Sequence, residues 1–311
     1  MAGTTHEEEK MYTRMLIPLD SSKTAENVLP YGRILARTFQ IPVELMEVLD
    51  IAASPVAAEK ARHLETVVTE GEPSSEHYLK KIASSFSDVN VSCTVERGRP
   101  EDVIIEKAAA DKTTLIAMAT HGRSGMSRWL LGSIAEKVLR ATTNPLLLVR
   151  ANEEAPTEGE AVLRSIIVPL DGSELAESVL PTAVKFARFF NVGMVLFRAY
   201  ELPASAYYGK ENYLPNYEEL KNRVKEQAQD YLDNKIEAIK AEGVQTVSSV
   251  SIEGSGPNEI IDYARKSPNA LITMCTHGRS GVKRWVLGSV TEKVVRHSGD
   301  PVLVMRGGAT A

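Results

Sequence analysis

Short apolar runs alternate with longer amphipathic runs along this chain. In the first half the short runs are almost continuously apolar, which is typical of parallel strands covered on both faces. They predict strands over residues 14–19, 43–49, 89–96, 115–119 and 146–149. The amphipathic runs predict helices over residues 24–38, roughly 57–85, 100–110 and 133–141. This alternation predicts an α/β fold, a doubly wound domain with a five-stranded parallel sheet.

The second half of the chain is a copy of the first. Residues 115–140 and 271–296 are identical at 18 of 26 positions without a gap. Matching residues lie about 150 positions apart, which is the size of a whole domain and far longer than the roughly 20 to 50 residues of a solenoid repeat. We therefore expect domain 1 at residues 1–150, an acidic and aperiodic linker at 151–162, and domain 2 at 163–311.

The last strand of each half, residues 146–149 and 302–305, is wholly apolar. An apolar strand on an open sheet edge promotes aggregation unless something covers it. The chain has two equivalent edges, so we expect them to cover each other in a pseudo-twofold arrangement, although two interior strands would give the same pattern. One chain would then be an intrachain pseudo-dimer, and a homodimer of the whole chain would use other surfaces.

The composition favours two ordinary globular domains, with 43% apolar and 25% charged residues. A net charge of -5 gives no general attraction for nucleic acid or for an anionic membrane. We expect no membrane span and no signal peptide, and hence a cytoplasmic protein, because the acidic start lacks an apolar run and no stretch is long enough. Cys93 and Cys275 lie at non-equivalent positions, so we expect two buried, inert thiols.

Two repeated features fall at the carboxyl ends of predicted strands, where doubly wound sheets bind ligands. One is the aspartate that ends the first strand, Asp20 and its copy Asp171. Such a carboxylate can accept hydrogen bonds from ribose hydroxyls. The other is the loop after the fourth strand, residues 120–133 and 276–289.

This loop has the chemistry of an anion site. Gly122 and Gly132 allow close backbone approach or a positive φ, and Ser133 stands where an N-cap residue is expected. Free N–H groups that lead into a helix N-terminus favour phosphate. Arg123 and Arg128 add positive charge, and their copies are Arg279 and Arg284.

Each feature also has a purely structural interpretation. A Gly-Ser pair before a helix is often only a cap, and a strand-terminal aspartate is often only the cap of the next helix. Their joint recurrence at one topological point favours a ligand, although duplication copies a structural feature equally well. His121 and His277 stand alone in their loops, without partners at metal-ligand spacing, which favours a structural or ligand-adjacent role.

These residues resemble the universal stress protein family. The resemblance rests on the strand that ends in Asp20, the turn Gly98-Arg99-Pro100, and T-H-G followed by nine residues and G-S, and it covers essentially the whole chain. It implies Rossmann-like, adenine nucleotide alpha hydrolase-like domains with strand order 3-2-1-4-5, which dimerise through the last strand. It also implies the ATP-binding branch, although Ala119 and Cys275 replace the first glycine of that branch's motif.

The resemblance implies which residues surround ATP, and Mg²⁺ is a candidate counter-ion for its phosphates. We add Arg123 and Arg279 to these residues because of their positive charge. In the first half these are Pro18, Asp20, Val48, Met118, Gly122, Gly132, Ser133 and Ile134. In the second half they are Pro169, Asp171, Ala199, Met274, Gly278, Gly288, Ser289 and Val290.

The function we expect is an ATP-binding stress-response or signalling protein. The sequence offers no dedicated general base or metal cage, so we assign no catalytic residue and expect any ATP hydrolysis to be slow. One alternative is a nucleotide-free interaction protein whose glycine loops are only structural. Another is an adenine-nucleotide hydrolase such as an ATP pyrophosphatase, which would need a glycine-rich loop after the first strand, whereas this chain has LDSSKTAE and LDGSELAE. The P-loop pattern is also missing from the sequence.

Overall fold

In the computed structural model, each half of the chain alternates strands with helices. The structure describes residues 11–50, 67–121, 131–150, 155–202, 217–276 and 287–306. The first-half elements are β1 (Arg14–Leu19), α1 (Leu29–Phe39), β2 (Val43–Leu49), α2 (Glu72–Ala83), β3 (Val91–Arg97), α3 (Pro100–Ala109), β4 (Thr114–Ala119), α4 (Ser133–Ala141) and β5 (Leu146–Val149). A 3-10 turn (Ala25–Val28) precedes α1, and a π-helical turn (Val67–Gly71) precedes α2.

The second half repeats this order. Its elements are β6 (Ser165–Pro169), a short α5 (Glu174–Glu177), α6 (Leu180–Phe190), β7 (Gly193–Tyr200), α7 (Tyr217–Ala241), β8 (Val247–Glu253), α8 (Gly256–Arg265), β9 (Ala270–Cys275), α9 (Ser289–His297) and β10 (Val302–Met305). None of the described helices combines the length and the apolar character needed to cross a membrane.

The ten strands form one continuous sheet in the order β3-β2-β1-β4-β5-β10-β9-β6-β7-β8. Each half therefore has the strand order 3-2-1-4-5, which confirms the expected fold. Pairing is parallel within each half and antiparallel between β5 and β10, where Leu147 lies opposite Leu303. Both of these leucines are 1% exposed. The two apolar terminal strands thus cover each other, as their sequences predicted.

Several predicted boundaries differ from the structure for local reasons. The predicted helix 24–38 begins as a 3-10 turn, and α1 starts at Leu29 because Pro30 cannot continue a helix from the preceding turn. In α2 the helix ends at Ala83, where the Ser85 hydroxyl donates to the Ile82 carbonyl at 2.7 Å. Strand β3 starts at Val91 because the chain still turns at Asp88, whose φ is 57°.

One prediction about the thiols is wrong. Cys275 is buried at the end of β9, but Cys93 is exposed. Cys93 lies on β3, one of the two outermost strands of the described sheet, which pairs with β2 alone. An edge strand buries less of each side chain than a central strand, and the letters around Cys93 do not reveal its place in the sheet.

Beyond the strand pairing, an aromatic cluster joins the two halves. The Phe39 ring of α1 lies 4.9 Å from the Phe186 ring of α6 and 5.2 Å from the Phe189 ring, centroid to centroid. The Tyr12 ring packs edge-on against Phe39 at 5.7 Å and against Phe186 at 6.3 Å. Edge-to-face pairs of this kind are the favoured aromatic geometry, so this cluster stabilises one face of the interface.

Four charged side chains join the halves on the opposite face of the sheet. Arg140 of α4 pairs with Glu136 of its own helix at 3.0 Å and with Glu292 of α9 at 3.3 Å. Arg296 of α9 pairs with Glu292 at 3.0 Å and with Glu136 at 3.3 Å. Each arginine therefore bridges both helices, and the pseudo-twofold relation of the halves is preserved in these contacts.

Part of the predicted linker is held against the first half. Arg33 of α1, only 8% exposed, donates from Nη1 to the carbonyls of Thr157 at 2.9 Å and Gly159 at 2.6 Å. The Ala161 N–H donates to the carbonyl of Pro30 at 3.0 Å. Aperiodic sequence therefore does not mean an unattached segment here.

Candidate functional site

A cavity of about 340 Å³ lies at the carboxyl ends of β1, β2 and β4 and at the amino end of α4. This is where the strand order reverses, the usual ligand position in a doubly wound sheet. A second cavity of about 350 Å³ occupies the same place in the second half. Both volumes fall within the range of small-molecule sites.

Every predicted site residue within the described part of the chain lines one of these cavities. In the first cavity these are Pro18, Asp20, Val48, Met118, Gly132, Ser133 and Ile134. In the second they are Pro169, Asp171, Ala199, Met274, Gly288, Ser289 and Val290. Gly122, Arg123, Gly278 and Arg279 lie outside the described residues.

One wall of each cavity is apolar. In the first half it is formed by Val48, Met118 and Ile104, which belong to the hydrophobic layer on one face of the sheet. In the second half Ala199, Met274 and Phe197 lie at the corresponding wall. Such a wall can bury a planar ring, while the polar groups at the opposite end of the cavity fix its orientation.

The strand-end aspartates hold the loop that follows them. Oδ1 of Asp20 accepts from the Ser22 N–H at 3.2 Å and from the Ser22 hydroxyl at 2.6 Å. In the copy, Oδ1 of Asp171 accepts the same two bonds from Ser173, at 2.9 and 2.6 Å. Ser173 in turn caps α5 by accepting from the Ala176 N–H. Each aspartate therefore holds the following turn through one carboxylate oxygen, but Ser173 and not Asp171 caps the next helix, and both aspartates line the cavities.

The amino ends of α4 and α9 face the cavities, which brings the positive end of each helix dipole to the site. Ser133 is the first residue of α4 and Gly132 is its N-cap, so the prediction that Ser133 is the N-cap is wrong by one residue. The Gly132 N–H donates to the Thr120 carbonyl at 2.8 Å, which holds the start of α4 against the end of β4. The same bond joins Gly288 to Thr276 at 2.7 Å.

A glycine is required at position 132 because its backbone lies close to Thr120, and not because its φ is positive. Its φ is -59°, whereas a Cβ at this position would lie 2.9 Å from the Thr120 carbonyl oxygen. A Gly132→Val substitution would therefore displace the Thr120 carbonyl or the start of α4 even without a ligand. Variants at other positions give a cleaner test of binding.

Cys275 places a thiol in the wall of the second cavity, where the first half has Ala119. Its Sγ lies 3.1 Å from the Ser178 hydroxyl. Burial raises the pKa of this thiol, and the nearby Asp171 adds to the rise, so the group is a neutral thiol at pH 7. The two cavities thus differ in size and polarity at this point of the wall.

His121 lines the first cavity. Burial, followed by the charges of Arg150 and Arg296, lowers the pKa of its imidazole, so the ring is neutral at pH 7. Its Nδ1 lies 3.2 Å from the Thr120 hydroxyl. Among the described residues no group of three or more His, Cys, Asp and Glu side chains has the arrangement of a metal site. His277 lies outside the described residues.

Sequence reasoning missed several lining residues, of which Glu47 is the most informative. Its side chain is 1% exposed, and it lies beside Val48 near the end of β2, a strand that is apolar except for Glu44 and Glu47. A buried carboxylate needs hydrogen-bonding partners, so a charge inside an apolar run was the available signal. The other missed residues include Asp50, Pro100 and Ile104 in the first cavity and Phe197, Gly256 and Ile260 in the second.

Comparisons with known proteins agree with this arrangement. The profile described as the universal stress protein family matches residues 11–150 and again residues 163–306. A universal stress protein of Methanocaldococcus jannaschii is 30% identical over 151 residues, which span 48% of this chain and 85% of the relative. One of Mycolicibacterium smegmatis is 22% identical over 302 residues, 94% of this chain and 96% of the relative.

A solved structure extends the comparison to both halves at once. The crystal structure of a universal stress protein from Archaeoglobus fulgidus covers 95% of this chain and 99% of its own length, with a TM-score of 0.69 and 20% identity. At this identity the likeness shows the fold alone.

Proposed function

Since this chain belongs to the universal stress protein family, we propose that it binds an adenine nucleotide, ATP in particular, in each of its two halves. One observation carries the proposal. The same cavity occurs twice at the point where strand order reverses, with an apolar wall, a strand-end aspartate and a helix N-terminus around it. These are the three chemistries that a base, a ribose and a phosphate chain require.

The proposed roles follow the positions of the residues. In the first half the adenine ring lies against Val48 and Met118, and Asp20 accepts from the ribose hydroxyls. The phosphates lie at the amino end of α4, where Ser133 and Ile134 offer backbone N–H groups. The second half uses Ala199, Met274, Asp171, Ser289 and Val290 in the same way. For Gly122 and Arg123, and for Gly278 and Arg279, we propose phosphate contacts on the sequence argument alone.

The side chains present could bind Mg²⁺ only together with the phosphates of a nucleotide. The described residues include no cluster that could hold a metal by itself. Asp20 and Asp50 nevertheless line the first cavity, and Mg²⁺ is usually bound by one or two carboxylates together with phosphate oxygens and water. When bound, the ion would neutralise phosphate charge. This chain would supply at most one or two carboxylate oxygens per site.

We propose a binding role in stress response or signalling with at most slow hydrolysis. Asp20 and Asp171 each already hold a serine of the following turn through Oδ1, which makes them poor general bases. If neither cavity bound a nucleotide, the same fold would be an interaction protein, and its glycine loops would serve only to pack the helices.

The test is a calorimetric titration of the full chain with ATP, ADP and AMP, together with mass spectrometry of nucleotide released from natively purified protein. We expect two binding events per chain and an adenine nucleotide in the released fraction. Asp20→Asn and Asp171→Asn should each weaken one event and leave the other unchanged. No heat at millimolar nucleotide and no released nucleotide would overturn the proposal.

A further inference from the structure

Glu47 and Arg198 occupy the same position in the two halves. The register pairs Pro18 with Met46 in the first half and Pro169 with Phe197 in the second. Glu47 and Arg198 are the next residues along β2 and β7. Each therefore lies beside the loop that carries the strand-end aspartate, but one is a carboxylate and the other a guanidinium.

In the first half the carboxylate holds this loop by hydrogen bonds. The Ser21 hydroxyl donates to both carboxylate oxygens of Glu47, at 3.0 and 2.9 Å. Ser21 directly follows Asp20, and its φ of 62° lies in the left-handed region. A non-glycine residue in that region needs support from its surroundings. Glu47 gives this support, and it therefore fixes the backbone next to Asp20.

In the second half the loop packs against a cation. Gly172 replaces Ser21, with a φ of 88°. A Cβ at Gly172 would lie 3.3 Å from both terminal nitrogens of Arg198, so the guanidinium fills the space that a side chain would need. The guanidinium carbon of Arg198 also lies 4.5 Å from the centroid of the Tyr231 ring. At the position of Ser21 this loop thus has no hydroxyl to offer, and it contacts a positive group instead.

The surrounding side chains are similar, except that the second half adds Lys235, which pairs with Glu177 at 2.6 Å. Tyr78 donates to Glu26 at 3.1 Å, and its counterpart Tyr231 donates to Glu177 at 2.8 Å. Burial raises the pKa of both tyrosines. Glu26, Glu47 and Asp20 raise the pKa of Tyr78 further. For Tyr231, Glu177 and Asp171 raise the pKa but Arg198 lowers it, so the charge at the position of Glu47 has the opposite sign in the second half.

We propose that Glu47 and Arg198 set different ligand preferences for the two cavities. The inference rests on the proposed nucleotide function. Through Ser21, Glu47 positions Asp20 for the ribose, and its negative charge opposes additional phosphate. Arg198 lies behind the loop, against Gly172 and outside the lining of the second cavity, and its positive charge next to Asp171 favours additional phosphate. The first site should therefore rely more on the nucleoside part of the ligand and the second more on its phosphate charge.

The test measures each site separately in the full chain. Trp129 and Trp285 are the only tryptophans of the sequence, and each stands four residues before the first residue of a cavity helix. Trp285→Phe leaves a fluorescent reporter in the first half, and Trp129→Phe leaves one in the second. Each single-tryptophan protein is titrated with adenosine, AMP, ADP and ATP at constant ionic strength, with and without Mg²⁺. The readout is the ratio of the Kd for adenosine to the Kd for Mg²⁺-free ATP.

We expect this ratio to be about tenfold higher at the second site, an effect typical of a nearby charge change. Glu47→Gln, which keeps an acceptor for Ser21, should raise the ratio at the first site by about threefold or more and leave the second site unchanged. Arg198→Gln should lower the ratio at the second site, and Arg198→Lys should restore it because the charge returns.

The controls separate this inference from the proposed function. Ratios that agree between the sites, or variants that weaken adenosine and ATP equally, would overturn the inference and leave nucleotide binding intact. Failure of Arg198→Lys to restore the ratio would show that packing and not charge matters, which also overturns it. If no member of the series bound at either site, the proposed function and this inference would both fall.

Discussion

Replacing Arg33 by methionine should release the segment that joins the two halves. Arg33 is buried, and its Nη1 donates to two backbone carbonyls of that segment, those of Thr157 and Gly159. Its Nε and Nη2 donate to the Ser85 hydroxyl at 3.2 and 3.0 Å. Methionine keeps most of the apolar stem but removes every donor, so the substitution removes the hydrogen bonds with little change in packing.

The expected loss of stability follows from the kind of hydrogen bond that is removed. A hydrogen bond from a charged donor contributes about 1.5 to 3 kcal/mol. The two carbonyls can regain water once the segment opens, which favours the lower end of that range. We therefore expect Arg33→Met to lower the free energy of unfolding by about 3 kcal/mol. Arg37→Met is the matched control, because Arg37 also contacts the segment, at Glu160, but its side chain is 50% exposed. An ion pair so exposed contributes at most about 1 kcal/mol.

Two measurements check this prediction. Equilibrium unfolding in urea gives the change in free energy, and cleavage after Glu158 and Glu160 by a glutamate-specific protease reports opening of the segment under native conditions. A loss of about 3 kcal/mol in local stability should speed cleavage roughly 100-fold when opening is fast relative to cutting. Arg37→Met should speed it by less than about tenfold. Equal effects of the two variants would refute the reasoning, because the buried bonds would then contribute no more than the exposed pair.

Three further predictions follow from buried groups and from the strand interface. The Tyr12 hydroxyl is buried without a hydrogen-bond partner, so Tyr12→Phe should raise the free energy of unfolding by about 1 kcal/mol in urea titrations, and a loss of stability would contradict this. Burial raises the pKa of Asp300 to about 6, because the folded state favours the protonated acid. The protonated side chain therefore contributes its full stability at low pH, and this contribution is lost as the pH rises through about 6. Asp300→Asn should therefore change little at pH 4 and add about 2 kcal/mol at pH 8 in the same assay, whereas equal effects at both pH values would exclude this origin. Separately expressed halves, each with β5 or β10 uncovered, should self-associate in sedimentation experiments, and two stable, soluble monomers would count against the role of the strand interface.

The sequence predicted the parts of this fold that depend on local pattern. Strands 14–19, 43–49 and 146–149 have the predicted bounds because these central strands are mostly buried, and therefore mostly apolar, on both faces. The β5–β10 pairing could also be predicted from the sequence, since a wholly apolar terminal strand must be covered by another strand or helix. The duplicated strand-end and loop motifs led to the right cavities, and the role of each lining residue in nucleotide binding stays a prediction.

What the sequence did not reveal depends on contacts between distant residues. Arg33 reaches carbonyls more than 120 positions away, and an arginine on an amphipathic helix is usually exposed. Glu47 and Arg198 directly precede Val48 and Ala199, which the sequence already matched, but the letters do not show that both side chains contact the loop after the first strand. Cys93 was misassigned because the pattern within one strand does not show whether that strand lies at the edge of the sheet.

The antiparallel contact between β5 and β10 has a consequence for behaviour on dilution. A single-domain protein that covers its last strand by dimerising must lose that cover when its concentration falls below the dissociation constant. Here the partner strand belongs to the same polypeptide, so its effective concentration is set by the connecting chain and reaches roughly the millimolar range. The ten-stranded sheet should therefore persist at any copy number per cell, and the two cavities need not remain identical, because a substitution in one half is not imposed on the other.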